Sequence, residues 1–188
     1  MTLIKYALLT IFLISSVSCN WREKNNKVKN TPVADKDTTN LLDLIRQYEP
    51  SIYKGTVPKA FYTNRGAFDW WRFPLVYPYS IGCIDVTEYG TIYSDKDKTN
   101  YDEGGSMQPL SDYFNKFMFD KSYFVATRVK SPFDSDTVKF VDEYFIFSFS
   151  NGTSEAVKGA DNLRKKLKEI KFSGDTTFIT IKDYGNRL

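Results

Sequence analysis

Residues 144–153 read YFIFSFSNGT, and this stretch is the most hydrophobic of the β-type runs in the chain. A short continuous run of bulky apolar side chains is typical of a buried strand. The pair Asn151-Gly152 that follows is a strong signal for a two-residue hairpin turn. We therefore predict a central strand over Tyr144–Ser150 and a return of the chain through Thr153–Val157.

Further β-type runs lie on both sides of this hairpin along the chain. Pro74 and Pro78 stand near the start of the apolar run Leu75–Val86, so regular pairing should begin only after Pro78. Gly90, whose backbone adopts conformations that other residues avoid, then predicts a turn. A returning strand follows, with Ile92 facing inward. The remaining strand candidates are Tyr123–Lys130, Val138–Val141 and Thr176–Lys182.

Apolar residues spaced by three and four positions predict two short helices, Leu41–Tyr48 and Ala160–Lys171, with Gly174 as the stop of the second. A third run, Leu110–Phe119, is an ambiguous helix because it is rich in aromatic residues. Strands grouped before a late helix favour an α+β fold. We predict one mainly antiparallel sheet with two or three short helices in a single domain.

Composition and charge exclude several classes of protein. The chain has 188 residues, of which 41% are hydrophobic and 26% are charged, which excludes a mainly disordered or multispanning protein. It has no His, which excludes Ser-His-Asp triads and Cys-His dyads. Six of the 26 basic and three of the 23 acidic residues precede Leu41, which leaves 20 of each. A neutral domain does not attract nucleic acid, so we expect no nucleic-acid partner.

The amino terminus has the three parts of an export signal. Lys5 gives a charged start, Tyr6–Ile14 is an apolar run, and Ser16-Val17-Ser18-Cys19 follows. The apolar run is too short for a permanent membrane span, which needs about 20 helical residues. This segment resembles the signal peptide of bacterial lipoproteins, whose lipobox has a small residue immediately before an obligatory cysteine. It departs from the commonest pattern at Ser16, where Leu is usual.

The resemblance implies cleavage of residues 1–18 and attachment of lipid to Cys19. Each buried methylene stabilises the membrane-bound state by about 0.8 kcal/mol, so two or three acyl chains give a permanent anchor. The residues after Cys19 lack the Asp and the acidic cluster that redirect such lipoproteins, which implies an outer-membrane anchor with the body facing the periplasm. The alternative is ordinary cleavage that leaves Cys19 as a free thiol.

The composition after Cys19 predicts two further parts. Residues 19–40 are poor in large apolar side chains and should form the lipidated cysteine and a flexible tether. Residues 41–188 should form the globular domain. With Cys19 lipidated, Cys83 is alone and cannot form an internal disulfide. Because Cys83 lies in an apolar run, we expect a small buried side chain there and not a nucleophile.

Residues 68–79 contain the most suggestive candidates for binding. Trp, Tyr and Arg dominate binding hot spots because they bury much area and keep polar groups. The candidate partner-binding residues are Trp70, Trp71, Arg72, Tyr77 and Tyr79. Alternatively, the two tryptophans seal one edge of a small β core. If this segment is a strand, Trp70 and Trp71 point to opposite sides, so at least one is exposed or covered by a loop.

The sequence patterns for two other functions, calcium binding and glycoside hydrolysis, are weaker. The loop Asp95–Gly105 begins like a calcium-binding EF-hand, but Asn100 replaces the turn glycine and Ser106 the bidentate Glu, so we predict no metal site. Glycoside hydrolysis needs two facing carboxylates and no His. The candidates are Asp69, Asp85, Glu88, Asp142 and Glu143. The basic run Arg164–Lys168 is most simply the solvated face of a helix.

Together these patterns favour a membrane-anchored periplasmic lipoprotein that acts as a non-catalytic binding or inhibitory module, without a cofactor, against a protein partner. In general form the chain is similar to small periplasmic lipoproteins, including immunity proteins that neutralise toxins, although no residue outside the lipobox carries that similarity. Two alternatives remain open. One is a carboxylate-dependent hydrolase of glycan or peptidoglycan, and the other is a structural subunit of an envelope assembly.

Overall fold

Two antiparallel sheets form the framework of the protein. The computed structural model describes residues 40–96, 108–130 and 139–188. The first sheet has the order β1-β2-β3-β4, with β1 Gly66–Ala67, β2 Trp70–Pro74, β3 Tyr79–Ile84 and β4 Thr91–Ser94. The second has the order β8-β7-β6-β5-β9, with β5 Phe114–Phe119, β6 Tyr123–Lys130, β7 Lys139–Ser148, β8 Ser154–Lys158 and β9 Ile179–Thr180.

Short helices flank the sheets. They are α1 Leu41–Gln47, α2 Lys59–Thr63, α3 Ala160–Glu169 and α4 Ile181–Asn186, with a 3₁₀ turn at Ser51–Tyr53. The side chain of Asn40 caps α1 by accepting a hydrogen bond from the Leu42 amide at 3.1 Å, which satisfies one of the free amides at a helix start. In the described part of the chain, no helix is long and apolar enough to cross a membrane.

The predicted α+β class with antiparallel strands and few short helices is confirmed, but the prediction of one sheet is wrong. β4 does not pair with β5 along its length, and an isolated bridge joins Gly90 to Phe114. The sheets instead pack together, with the rings of Tyr79 on β3 and Phe147 on β7 5.0 Å apart. Each sheet has a face of large apolar side chains directed at the other sheet, and the two sheets bury these faces against each other.

The main core lies between the two sheets and is rich in aromatic rings. The first sheet contributes Phe73, Ile81 and Ile92, while the second contributes Phe117 and Phe124, whose ring centroids are 4.9 Å apart. Full burial of one such side chain stabilises the fold by about 1.5–3 kcal/mol. Helices α1, α2 and α4 close the edges of this core with Ile45, Phe61, Ile181 and Tyr184.

The second sheet is buried on both faces. Met118, Val125 and Ile146 point away from the main core and pack with Leu163 of α3 in a smaller cluster. Neighbours along a strand point to opposite sides, so Phe117 and Met118 belong to different clusters. The layers are therefore the four-stranded sheet, the five-stranded sheet and α3.

Several predicted elements are confirmed. The strand Tyr123–Lys130 and the helix that begins at Leu41 occur as predicted. A hairpin that contains Asn151-Gly152 joins β7 to β8 as predicted, but its loop is residues 149–153 and not the two-residue turn that the sequence predicts. Ile92 is fully buried. The late helix begins at Ala160 but ends at Glu169, because Lys171 adopts the left-handed conformation that terminates helices.

Other predictions are wrong in detail. The run Leu110–Phe119 contains no helix, and β5 occupies its second half. Val138–Val141 and Tyr144–Ser150 are not separate strands, because Lys139–Ser148 is one strand, and β6, not β7, is the middle strand of its sheet. Within Thr176–Lys182 only β9 is a strand, and α4 begins at Ile181. Residues 1–39, including the signal peptide 1–18 and Cys19, lie outside the described residues.

Candidate partner-binding surface

A tight hairpin presents one aromatic side chain entirely to solvent. Ala67 pairs with Trp70, so the turn between β1 and β2 consists of Phe68 and Asp69. Phe68 is 100% exposed and has a φ of 58°. A left-handed conformation costs a non-glycine residue about 1–2 kcal/mol. A fully exposed Phe in such a conformation contributes nothing to the core and strains the backbone.

The loop after β3 adds further exposed apolar side chains beside this hairpin. Trp70 pairs with Ile84, and the Asp85 amide donates to the Asp69 carbonyl at 2.8 Å. Ile84 is 47% exposed, and Val86 is 37% exposed. We call Phe68, Trp70, Ile84 and Val86 the apolar tip.

Acidic side chains occupy the two turns that carry the apolar tip. Asp69, Asp85 and Glu88 are all exposed and lie in the same two turns. Arg72 is the only basic residue from Gly66 to Gly90 in the sequence, and its side chain is buried. Within the segment 66–90 the exposed charges are therefore all negative, and we call Asp69, Asp85 and Glu88 the negative rim. Local charge of one sign favours a partner of the opposite sign.

Arg72, one of the predicted contact residues, lies wholly inside the protein. Its guanidinium forms an ion pair with the buried carboxylate of Asp95, and Nε donates to Asp95 Oδ2 at 3.2 Å. Nη1 donates to the Phe61 carbonyl at 2.7 Å and to the Asn64 carbonyl at 3.3 Å. The guanidinium also lies 4.8 Å from the centre of the Phe61 ring. Arg72 thus ties β2 to β4 and α2 and does not reach the surface.

The other predicted residues divide between the surface and the core. Trp71 and Tyr79 are partly buried and pack against the main core. Tyr77 is buried, and its ring is 5.0 Å from that of Phe61. Burial raises the pKa of Tyr79. Trp70 is partly exposed and lies on the opposite strand face from Trp71, so of the five predicted residues it is the one in the apolar tip.

The outer face of the first sheet carries buried polar groups beside Arg72. Ser80 and Thr91 are both almost completely buried, and Ser80 Oγ, Thr91 Oγ1 and Asp95 Oδ1 have no hydrogen-bond partner among the residues that the structure describes. A buried polar atom without a partner costs about 1–3 kcal/mol. Asp95, the first residue of the loop that resembles an EF-hand, directs its carboxylate to Arg72. Residues 97–105 of that loop lie outside the described residues.

Cys83 has the buried setting that the sequence predicts. It is 2% exposed and packs in the main core. Burial, with a smaller contribution from Glu88, raises the pKa of the Cys83 thiol to about 12. Because the thiolate is the nucleophile, this thiol is unreactive at neutral pH.

The candidate carboxylates divide between the two sheets. Asp69, Asp85 and Glu88 belong to the turns at the apolar tip, whereas Asp142 and Glu143 lie on β7. Glu143 is bound by Arg128 at 3.0 Å and by Lys158 at 3.6 Å. These cations, with Lys130, lower the pKa of the Glu143 carboxyl, although partial desolvation opposes them. Within the described ranges, no three His, Cys, Asp or Glu side chains lie close enough to hold a metal ion.

The candidate segment 68–79 includes Phe68, but the sequence interpretation did not choose Phe68 as a contact residue, and it missed Ile84 and Val86 as surface residues. Phe68 was visible as a large apolar residue before Asp in a short gap between strands. The hydrophobicity of Ile84 and Val86 predicts a strand that continues through both residues. In the structure β3 ends at Ile84, and the chain turns at Asp85, which has a φ of 62°. Comparisons with protein-family models, with curated proteins and with solved structures find no match for this chain.

Proposed function

We propose that this protein is a lipid-anchored, non-catalytic binding module that contacts a protein partner through the apolar tip. The observation that carries the proposal is the complete exposure of Phe68 in a left-handed backbone conformation. Strain of this kind persists where the surrounding structure holds it, and it is concentrated at functional sites. An exposed aromatic side chain is also the residue type that supplies binding energy at the centre of interfaces.

The negative rim narrows the class of partner. A protein with an apolar pocket bordered by Lys or Arg complements Phe68 together with Asp69 and Asp85. Such complementarity accelerates association and excludes acidic surfaces, including nucleic acid and anionic lipid. Inhibition of a basic toxin by an immunity-type protein is one form of this activity.

The anchor in the proposal rests on the lipobox-like segment that ends at Cys19. An outer-membrane lipid there, followed by the tether 19–40, confines the domain to the periplasmic face of the membrane. Confinement raises the effective concentration of the module at the place where a partner arrives, so modest contacts suffice. A Cys19→Ala variant should leave the membrane fraction, and an unmodified thiol at the mature amino terminus in mass spectrometry would contradict the anchor.

No observation in the described part of the structure specifically favours either alternative function. The hydrolase requires two carboxylates that face each other across a substrate groove, whereas the candidates lie in exposed turns of one sheet and on β7 of the other. The structural-subunit alternative predicts stoichiometric co-purification with outer-membrane proteins.

The test compares two exposed apolar residues in different places. Phe68→Gly removes the ring from the apolar tip and relaxes the backbone, whereas Ile52→Ser changes a 78% exposed residue in the 3₁₀ turn. We expect chemical cross-linking in envelope preparations to capture one partner with the native protein and with Ile52→Ser. Phe68→Gly should weaken binding of the purified partner by about 2 kcal/mol, roughly 30-fold in Kd.

Two further results bear on the proposal. Association should slow as salt is raised from about 50 to 500 mM, because added ions screen the acidic rim. Equal affinity of native protein and Phe68→Gly for the captured partner would refute the assignment of the apolar tip. Loss of binding in Ile52→Ser alone would move the contact surface to the 3₁₀ turn.

A further inference from the structure

A groove beside α3 lies on the second sheet and is separate from the apolar tip. It has a volume of about 510 Å³, within the range of small-ligand sites. Its walls are the flank of α3, the outer side of β5 and β7, and the segment that leads to β9. The apolar lining residues are Met118, Tyr144, Leu163, Leu167, Phe172 and Phe178.

The lining of this groove is divided between a deep part and an open part. Met118 and Leu163 are buried at its base. Leu167, Phe172 and Phe178 pack against the same small cluster but remain partly exposed. Aromatic and aliphatic side chains therefore continue from the cluster to the surface along the groove. A long apolar chain can lie against such a surface, because each buried methylene contributes about 0.8 kcal/mol.

The border of the groove is cationic. Arg164 and Lys168 are four residues apart and lie on one flank of α3, and Lys171, just after the end of the helix, also lines the groove. Lys166 points elsewhere, because its ammonium lies 3.1 Å from Glu155 on β8. Arg164 pairs with the exposed Asp161 at 3.0 Å.

Two of these cations are available to a ligand. Among the described residues, neither Lys168 nor Lys171 has an ion-pair partner, and both are exposed. Charges at a helix carboxyl end interact favourably with the helix dipole, but that interaction leaves their donors open to an anion. The groove thus combines an apolar floor with free ammonium groups at one border, and these two features together select an anionic amphiphile.

We propose that this groove binds a single long-chain fatty acid. Its carboxylate accepts hydrogen bonds from Lys168 and Lys171, and its chain lies against Leu167, Phe172 and Phe178. A bilayer surface fits less well, because the apolar stripe of α3 faces the sheet and not solvent, whereas interfacial helices turn that stripe outward. This site does not depend on the proposed function of the apolar tip.

The test uses the full-length protein in neutral phosphatidylcholine vesicles and a palmitic acid analogue that carries a photoactivatable diazirine. Illumination followed by peptide mapping identifies the labelled residues. We expect saturable labelling confined to the groove lining, which is residues 160–178 together with Met118 and Tyr144. Unlabelled palmitate should compete, and hexadecanol of the same chain length should compete at least about tenfold less well, because it lacks the charge that Lys168 and Lys171 recognise.

Matched variants separate this site from general hydrophobicity. The double variant Lys168→Glu and Lys171→Glu should reduce labelling of the groove at least about tenfold, whereas Lys165→Glu on the same helix should leave it within about twofold. Thr176→Trp, which places a ring at the border of the groove, should also abolish labelling without touching the core. It tests the site even if the double variant does not fold.

Three results would overturn the proposal. The first is labelling spread over the whole domain, and the second is labelling unchanged by both the double variant and Thr176→Trp. The third is competition by vesicles of anionic phosphatidylglycerol as strong as that by free palmitate, which would assign the cationic border to a membrane surface.

Discussion

Replacing Asp95 with Asn removes the countercharge of a guanidinium that has no contact with solvent. Asn is nearly the same size as Asp, so the packing around Arg72 is preserved and the charge is the principal change. Arg72 keeps its hydrogen bonds to the carbonyls of Phe61 and Asn64, but carbonyl groups do not neutralise a buried cation. We therefore expect the cost of a broken buried ion pair, about 3–5 kcal/mol.

This loss is large for a domain of this size, since typical free energies of unfolding are about 5–15 kcal/mol. It should lower Tm by roughly 6–20 °C, from about 2–4 °C per kcal/mol for chains of 150–250 residues. Urea denaturation followed by tryptophan fluorescence measures the free energy directly. Trp70 and Trp71 lie beside Arg72 on β2 and report on this part of the sheet.

A double variant without either charge separates the cost of an unpaired charge from the rest of the site. Arg72→Met combined with Asp95→Leu replaces both charges with apolar groups, and such a replacement is often neutral or stabilising. We expect the double variant to be at least about 2 kcal/mol more stable than Asp95→Asn. A loss below about 1 kcal/mol for Asp95→Asn would mean that Arg72 is hydrated, and the structural role assigned to it would then be wrong.

Three further predictions concern single side chains. Phe68→Gly should raise the free energy of unfolding by about 1 kcal/mol, because Gly adopts a φ of 58° without strain; a lower urea midpoint would contradict the strain. Tyr184→Phe should cost about 1–3 kcal/mol, since the Tyr184 hydroxyl donates to the buried Pro74 carbonyl at 2.5 Å, and a neutral result in the same assay would argue against that bond. Native Cys83 should resist iodoacetamide at pH 8 and react at once in urea, because its pKa is raised to about 12. The same raised pKa makes the native state less stable as pH rises from about 9 towards 12, because in this range the Cys83 thiol ionises freely only in the unfolded state. Rapid labelling of Cys83 in the native protein at pH 8 would refute its burial.

Local sequence patterns predicted the elements whose signals do not depend on distant residues. The strand Tyr123–Lys130 follows from a run of β-forming residues, and Asn151-Gly152 indicated the hairpin of β7 and β8 but not the length of its loop. β5 was harder, because Phe117 faces the main core and Met118 faces the smaller cluster. A strand buried on both sides has no polar alternation, and its aromatic run resembled a helix.

The end of the chain contained a signal that the sequence interpretation did not use. Thr180 accepts a hydrogen bond from the Asp183 amide at 3.0 Å and caps α4. Thr followed three residues later by an acidic residue is a common helix start. The β-branched residues around Ile179 instead predict one longer strand. In the structure Thr180 caps a helix, and the strand ends there.

The candidate surface could be located only in part. The sequence placed binding residues near Trp70, and the apolar tip lies there. It could not identify Arg72 as internal, because the partner that buries it, Asp95, is separated from it by 23 residues. Nor could it show that Phe68 is exposed, because exposure depends on where β1 and β2 turn.

The layer formed by α3 has a consequence for the dynamics of the protein. Leu163 is the buried side chain of this helix, and Lys171 ends it without a glycine. Because α3 makes only a small share of the apolar contacts of the domain, we expect this helix to unfold locally as a separate foldon while the two packed sheets stay folded. Amide hydrogen exchange along 160–171 should then be faster than along β6. A ligand bound in the groove beside α3 would slow that exchange, so the fraction of protein with bound ligand could be measured from the protection of the α3 amides alone.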